Sequence, residues 1–323
     1  MTASDNTQPI SLILICYKHE KFVAEAIDGV LSQTYSPLEI LIIDDCSPDR
    51  TAQVIADKLA VHPDGSKVGF IRNARNIGGK RSIELGLSRT KGDFVVIASG
   101  DDVMLPEMIA EMAGVRISYG VSLVTANAVY IDAESKPLGR THRDPGRCGD
   151  DSFETLARDG SNVCCFGAAM GFEREIFSKF GWPPLYLGAF DIMLPYYAYL
   201  LKGARFIAKP LLKYRVHSNN TSLSLLEERQ DETQRLLMRE RSFYQHLAHA
   251  LLMQEVLMRL AGEQPREYSE IERRIGPLLM IQIVEMAKKL VNTRIELART
   301  GASLDIDHFG VLPKPAAAEQ APG

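Results

Sequence analysis

Ser11 to Cys16 is a short and almost wholly apolar run, which predicts a strand buried on both faces. Phe22 to Gln33 then switches to helical spacing, with Phe22, Ala26, Ile27, Val30 and Leu31 on one side. Leu38 to Ile43 is a second buried strand that stops at Asp44-Asp45. Thr51 to Leu59 reads as a helix, Gly69 to Arg72 as a strand, and Lys80 to Ser88 as a helix. Phe94 to Ala98 is a fourth buried strand, followed by Ser99-Gly100-Asp101-Asp102. Strand and helix alternate, the signature of βαβ units around a largely parallel sheet.

Beyond this the pattern loosens. Val121 to Thr125 and Ala128 to Ile131 read as strands, and Phe206 to Val216 as a strand or hairpin turning at Pro210. From Leu225 to about Thr300 the chain is rich in Leu, Met, Glu, Arg and Gln and predicts two or three long helices, punctuated at Gly262 to Pro265 and at Gly276-Pro277. Phe243, Leu247, Ala250 and Leu257 are expected on one buried face, and Met280, Ile283, Val284, Ala287, Leu290 and Val291 on another. The domains expected are 1–224, a helical region 225–310, and an Ala- and Pro-rich disordered tail 311–323.

Composition narrows the class. The 323 residues suit one large domain or one domain with an appendage. A net charge of -4 gives no sign of a nucleic-acid partner. The five cysteines, Cys16, Cys46, Cys148, Cys164 and Cys165, are odd in number and lack CxxC spacing, so reduced thiols are expected. No apolar run approaches the length of a membrane span, and Met1 to Pro9 lacks the regions of a signal peptide. Ile192 to Leu201 is apolar but short, and contains Pro195. The expectation is a soluble cytoplasmic protein, with peripheral contact at the cytoplasmic membrane face left open.

Ligands of open α/β sheets bind beyond the carboxyl ends of the strands. Three strands here end in polar residues: Tyr17-Lys18-His19, Asp44-Asp45 and Asp101-Asp102. Side by side, two carboxylates repel, and a divalent cation bound with a phosphate removes that difficulty. Taken alone, such a pair more often marks a turn or a helix cap, but two at equivalent strand ends favour a shared site. No G-x-G-x-x-G follows the first strand and no P-loop is present, so dehydrogenase and P-loop readings fail.

At this point a family resemblance emerges. Ser11 to Lys18 is similar to the opening strand of family 2 glycosyltransferases of the GT-A fold. Gln33-Thr34-Tyr35 with Leu38 to Asp49 resembles that family's Q-T-Y…E-I-I-V-V-D-D-G-S-x-D segment. Asn76-Ile77-Gly78-Gly79, Lys91-Gly92-Asp93-Phe94, Asp101-Asp102 with Pro106, and Tyr214 to Ser222 match later landmarks in order. The resemblance spans about Pro9 to Ser222.

It implies a GT-A, Rossmann-like nucleotide-diphospho-sugar transferase fold: a mixed α/β sheet flanked by helices, with a C-terminal helical extension. It implies a nucleotide site at Cys16, Tyr17, Lys18, Asp44, Asp45, Asn76, Lys80, Gly100 and Asp101. The acidic pair after the second strand would meet base and ribose, and Lys80 the uracil or diphosphate. Asp101, Asp102 and His217 would hold Mn²⁺ or Mg²⁺. Asp191, in Gly188-Ala189-Phe190-Asp191-Ile192, would be the catalytic base of an inverting transfer, although the family's preceding Glu is absent.

Two departures stand out. Ser99 replaces the first Asp of the D-x-D motif, and Ser82-Ile83-Glu84 stands where A-R-N is usual. The donor implied is a nucleotide sugar, and the acceptor a glycan or lipid-linked sugar of a bacterial surface polysaccharide. A sugar-phosphate nucleotidyltransferase lacks support because its glycine-rich loop is missing, and a non-catalytic scaffold has no need of Asp101, Asp191 and His217. The C-terminal helices are open to three readings: a packed subdomain, a homodimer contact, or a peripheral membrane contact near Lys288, Lys289 and Arg294.

Overall fold

A computed structural model describes residues 9–36, 38–144, 152–160, 166–184, 187, 190–217 and 231–300. The helix start expected at Leu225, the tail, the first eight residues, Gly188-Ala189, the motif end at Asn219 to Ser222, and Cys148, Cys164 and Cys165 lie outside the described residues.

The first half alternates as its pattern predicts. β1 (Ile10–Cys16), α1 (Val23–Leu31), β2 (Leu38–Asp44), α2 (Thr51–Val61), β3 (Gly69–Arg72), α3 (Gly79–Arg89) and β4 (Phe94–Ser99) follow in order. β1 is buried along nearly its whole length, and α1 buries Val23, Ala26, Ile27 and Val30 in the same core. Each such Val or Ile side chain removed from water contributes about 1.5–3 kcal/mol, and Ala26 less.

Next come β5 (Val103–Met104), α4 (Met108–Tyr119), β6 (Leu123–Ile131), β7 (Pro137–Thr141), α5 (Phe153–Asp159), β8 (Met170–Glu173), α6 (Glu175–Phe180), α7 (Phe190–Leu201) and β9 (Ala204–Arg215). The described strands form one mixed sheet in the order β3-β2-β1-β4-β8-β6-β9-β5, with β7 on β6. β3, β2, β1 and β4 run parallel, and β8 turns the sheet antiparallel. Cys16 and Cys46 are free thiols.

The structure corrects one local expectation, decides between two readings at another place, and adds two elements. The two strands expected around Asn127 are one strand, β6. Of the two readings for Phe206 to Val216, the strand holds and the hairpin does not: β9 runs straight through and pairs in parallel with β6, and the register shifts where Asn127 faces Pro210. A proline has no N–H for the ladder, and a bulge at that point accommodates it. α4 and β8, which the periodicity did not reveal, complete the core with Met108, Ile109, Met112 and Phe172.

Several motif residues are architectural. Gln33 donates to the carbonyls of Gly29 and Leu105 and accepts from Ile109 N–H, so it sews the end of α1 to the start of α4. At the opposite end of β1 from the acidic residues, Ser11 Oγ accepts Gly92 N–H at 2.8 Å and donates to Glu39 Oε2 at 2.7 Å. The Lys91-Gly92-Asp93 turn is thereby fastened to β1 and β2.

The packing divides into two compact units, one built on the sheet and the other on two long helices. These are α8 (Glu232–Glu263) and α9 (Pro265–Arg299). Asp231 caps α8 by accepting Gln234 N–H at 2.8 Å, and Pro265 starts α9, where a missing N–H costs nothing. Gly276-Pro277 does not end α9. Glu240 near the start of α8 pairs with Arg294 near the end of α9, so the two run antiparallel. The buried stripe of α9 is Ile275, Leu279, Gln282, Met286, Leu290, Thr293 and Leu297, rotated from the expected face, while Met280, Val284 and Val291 are exposed. No described helix is long and apolar enough to cross a membrane.

Candidate functional site

β1 lies between β2 and β4, in register Cys16 to Asp44 on one side and Ile15 to Ser99 on the other. The two acidic pairs therefore flank the end of β1, as their positions predicted. Lys18 (φ 61°) and Cys46 (φ 58°) take left-handed backbone conformations, an uncommon state for residues with a side chain, and turn the chain sharply out of β1 and β2.

The pair after β2 faces inward. Asp44 is fully buried, accepts the Ser47 N–H at 3.1 Å and the Ser47 hydroxyl, and has Arg72 Nε at 3.4 Å. Ser47 Oγ in turn accepts Lys18 N–H at 3.0 Å. Asp45 Oδ1 accepts Asn73 Nδ2 and Ile77 N–H, and its Oδ2 accepts Gly78 N–H at 2.8 Å. These carboxylates tie together the loops that carry Tyr17, Lys18 and Asn76, whose side chains are exposed at the rim.

The pair after β4 divides its work. Asp101 Oδ2 receives His217 Nε2 at 3.0 Å, with His19 Nε2 at 3.7 Å, and Oδ1 receives the Ser99 hydroxyl. Burial pushes the Asp101 carboxyl up, but the His217 hydrogen bond, nearby His19 and Ser99 outweigh it and bring it down to about 2. Asp102 is 4% exposed, and its Oδ1 accepts Arg215 N–H at 2.8 Å. Burial, then the charge of Asp101, pushes Asp102 well above the usual carboxylate range. Of the Asp102 oxygens, Oδ1 is thus engaged by the backbone of β9.

Arg215 is 1% exposed and organises this corner. Its Nε donates to the Asp101 carbonyl at 2.8 Å, Nη1 to Ser135 Oγ at 2.8 Å, and Nη2 to Glu25 Oε2 at 2.6 Å. Phe22 lies between, 4.9 Å from the guanidinium and 4.8 Å from the His217 ring.

Neither His19 nor Arg215 was predicted as a site residue, although both fall in segments read as informative. His19 sits above Gly100: a Cβ at position 100 would lie 2.8 Å from His19 Nδ1 and 2.7 Å from Cys16 Sγ, so a side chain there would have to displace them.

Asp191 stands in the first turn of α7, and its Oδ2 accepts Gly167 N–H at 3.1 Å. Burial raises its carboxyl above the ordinary range, against hydrogen bonds from Gly167 and its own helix and the charge of Lys80. Lys80, half-buried on α3, is lowered by burial with Asp191 opposing. The fold thus brings the predicted base and the predicted diphosphate lysine within electrostatic range of each other. Next to Gly167, Phe166 stacks on His142 at 3.7 Å between ring centres, and His142 Nδ1 meets the Tyr130 hydroxyl at 3.1 Å.

Among the described residues no three His, Cys, Asp or Glu side chains are arranged to hold a metal ion by themselves. A carboxylate and an imidazole converging at 3.0 Å instead fit a cation that takes its other ligands from a diphosphate. Asp101 and His217 are the residues suited to hold it.

Comparison with known proteins is consistent with this geometry. The family model for glycosyl transferase family 2 matches residues 11–181. An uncharacterised glycosyltransferase of Nostoc sp. is 27% identical over 219 residues, 67% of each chain. One from Haemophilus influenzae is 24% identical over 259 residues, 74% of this chain and 75% of its own. The structure of TarS from S. aureus in complex with UDP-GlcNAc has a TM-score of 0.56 at 13% identity, covering 91% of this chain and 93% of that one. The mannosyltransferase PcManGT from Pyrobaculum calidifontis, in complex with GDP-Man and Mn²⁺, has a TM-score of 0.52 at 16% identity, covering 91% and 88%. These two share the fold. With the family model spanning more than half of its length, this chain belongs to glycosyl transferase family 2 and is a glycosyltransferase of GT-A fold.

Proposed function

We propose that this chain moves a sugar from a uridine-diphosphate sugar onto a hydroxyl of a glycan or lipid-linked acceptor, with inversion and with a divalent cation, in surface polysaccharide assembly. The observation that carries this reading is the convergence of His217 Nε2 on Asp101 Oδ2, at 3.0 Å, at the end of β4. Asp101 and His217 would hold a Mn²⁺ or Mg²⁺ ion there, which would supply Lewis-acid neutralisation of the charge developing on the diphosphate leaving group.

The remaining chemistry belongs to side chains. Tyr17, Lys18 and Asn76 line the nucleotide, on loops held by Asp44 and Asp45. Lys80 faces the diphosphate. Asp191 accepts the acceptor hydroxyl proton as that oxygen bonds to the anomeric carbon and the bond from that carbon to the diphosphate oxygen breaks. Attack opposite the leaving group inverts the centre. A carboxyl raised by burial is a stronger base once ionised, which suits this role. Catalysis is assigned to residues 1–224, and α8 with α9 to a separate helical region.

TarS and PcManGT hold different nucleotides, so the fold alone does not select the base. A thermal-shift panel of nucleotide sugars with and without Mn²⁺ tests the reading. A true donor at a hundredfold excess over its Kd stabilises by about 2.7 kcal/mol. Absence of a metal-dependent shift across the panel would rule the reading out.

A further inference from the structure

We infer that α9 joins two copies of this chain, its open face being the seam of an antiparallel homodimer whose twofold axis passes between Ala287 and Lys288.

α9 is apolar on two opposite sides. Its buried stripe runs from Ile275 through Leu279, Met286 and Leu290 to Leu297. At about 100° per residue, Met280, Val284, Val291 and Ile295 fall on the side facing away from that stripe, within about 40° of one line. They are 48, 46, 55 and 48% exposed. Ala287 continues the row, so 280, 284, 287 and 291 follow at steps of four, three and four, the spacing of a helix that meets another helix. A face that only meets water has no need of that repeat.

The order of the residues selects the occupant. In an antiparallel pair, a twofold axis sets each residue beside one equally far from the axis on the other side. With the axis between 287 and 288, Met280 meets Ile295 of the second copy, Val284 meets Val291, and Pro277 meets Ala298, each pair occurring twice. The stripe is therefore complementary to itself. The charges agree. Glu285 and Lys288 lie on the same edge of the stripe and pair within one chain at 2.9 Å. In the dimer, Lys288 of the second copy falls within about 3 Å of Glu285 along the helix axis, so each carboxylate faces a lysine of both chains.

A membrane surface suits this face less well. Lys288 is paired with Glu285, Arg294 with Glu240 on α8, and Lys289 lies 5.7 Å over the Phe243 ring. These three bases are engaged within the chain, and Glu285 places beside the stripe a negative charge that anionic lipid repels. The stripe offers roughly 400 Å² of apolar surface per copy, and with its charged edge a pair buries about 1,000 Å² in total, the lower end of specific interfaces. Association at micromolar concentrations is expected.

Analytical ultracentrifugation of the full chain tests this. The wild type should pass from monomer to dimer across the micromolar range. Val284→Glu combined with Val291→Glu sets carboxylates against each other in the seam and should raise the dissociation constant at least about a hundredfold. Both positions are half-exposed, so helix content by circular dichroism should not change. Met280→Gln with Ile295→Gln, with dimerisation again expected to weaken, serves if the first pair does not fold. Cysteines test the direction. Ala287→Cys adjoins its own copy at the axis and should give an oxidised, disulfide-linked dimer that the wild type does not, whereas two copies of Met280→Cys lie about 22 Å apart and should not link. Linkage at 280, or none at 287, overturns the antiparallel arrangement. A dimer that survives both double substitutions overturns the inference by placing the interface elsewhere. A wild type that stays monomeric overturns it as well, and if that monomer sediments with anionic phospholipid vesicles while the double Glu variant does not, the stripe meets a membrane instead.

Discussion

Arg215 gives its backbone N–H to Asp102 Oδ1 at 2.8 Å and its guanidinium Nε to the carbonyl of the neighbouring Asp101, also at 2.8 Å. One buried residue thus sorts the acidic pair. Asp102 is committed to the end of β9, while the Asp101 carboxylate is left to face His217 and His19.

That division predicts unequal mutants. Asp101→Asn removes the negative charge beside His217 and should weaken Mn²⁺-dependent UDP binding by about a hundredfold, roughly 2.7 kcal/mol. Asp102→Asn keeps the shape of a side chain whose Oδ1 accepts a backbone N–H and should stay within about threefold. Calorimetry with UDP and Mn²⁺ measures both, and equal losses would show that both carboxylates reach the cation.

Arg215 itself should be costly to replace. Arg215→Met strands the carbonyls of Asp101 and Asp132 and the carboxylate of Glu25. Water can reach the Glu25 carboxylate, which is 40% exposed, so the loss comes chiefly from the stranded carbonyls and totals about 2–4 kcal/mol. A fall in Tm of about 10 °C is expected for a unit of this size. Glu25→Gln, at the more exposed end of the pair, should cost far less.

Asp191 sets a pH dependence. Its carboxyl is raised by burial, and a base works only when ionised. The rate should rise with pH through a limb lying above the ordinary aspartate pKa of about 3.9. Asp191→Asn should lower kcat by about a thousandfold with little change in nucleotide affinity. Gly167→Ala, whose Cβ would sit 2.9 Å from Asp191 Oδ2, should displace the carboxylate and lower kcat without removing any functional group. Near-wild-type turnover by Asp191→Asn would remove it from the mechanism.

His142 sets a second pH dependence, this one of stability. Burial first, then the charge of Arg143, lowers its pKa from 6.5 to about 4. The unfolded chain therefore binds the proton more readily between those values. Stability is full above pH 6.5 and is lost as pH falls towards 4. The loss should be about 1–3 kcal/mol, allowing for partial exposure. His142→Phe preserves the stack on Phe166 and should flatten this limb in denaturation curves taken across pH.

Much of the sheet was legible because burial on both faces leaves a strand almost no polar residues. β1, β2 and β4 announced themselves in this way, and each broke off at the polar residues that mark the crevice. β6 and β9 were harder. Asn127 interrupts the first and Pro210 the second, and only their pairing shows that one irregularity accommodates the other. The stripe of α9 was misread by a fraction of a turn because its buried side includes Gln282 and Thr293, while Met280, Val284 and Val291 stay exposed.

The site divides in the same way. The sequence by itself determined that two acidic pairs end parallel strands, that Asp191 and His217 follow them, and that no glycine loop is available for phosphate. Those are facts of order and spacing, and residue type carries them. Only the tertiary structure decided which carboxylate oxygens are still available. Asp44, Asp45 and Asp102 are alike in sequence to Asp101, yet Ser47 and the 77–78 loop take up the oxygens of the first two, and Arg215 takes up one oxygen of Asp102. His19 reaches Asp101 across 82 positions because β1 and β4 are neighbours in the sheet and residue 100 has no side chain to keep the ring away. Partnership of this kind depends on distances between segments remote in the chain, and local pattern does not encode them.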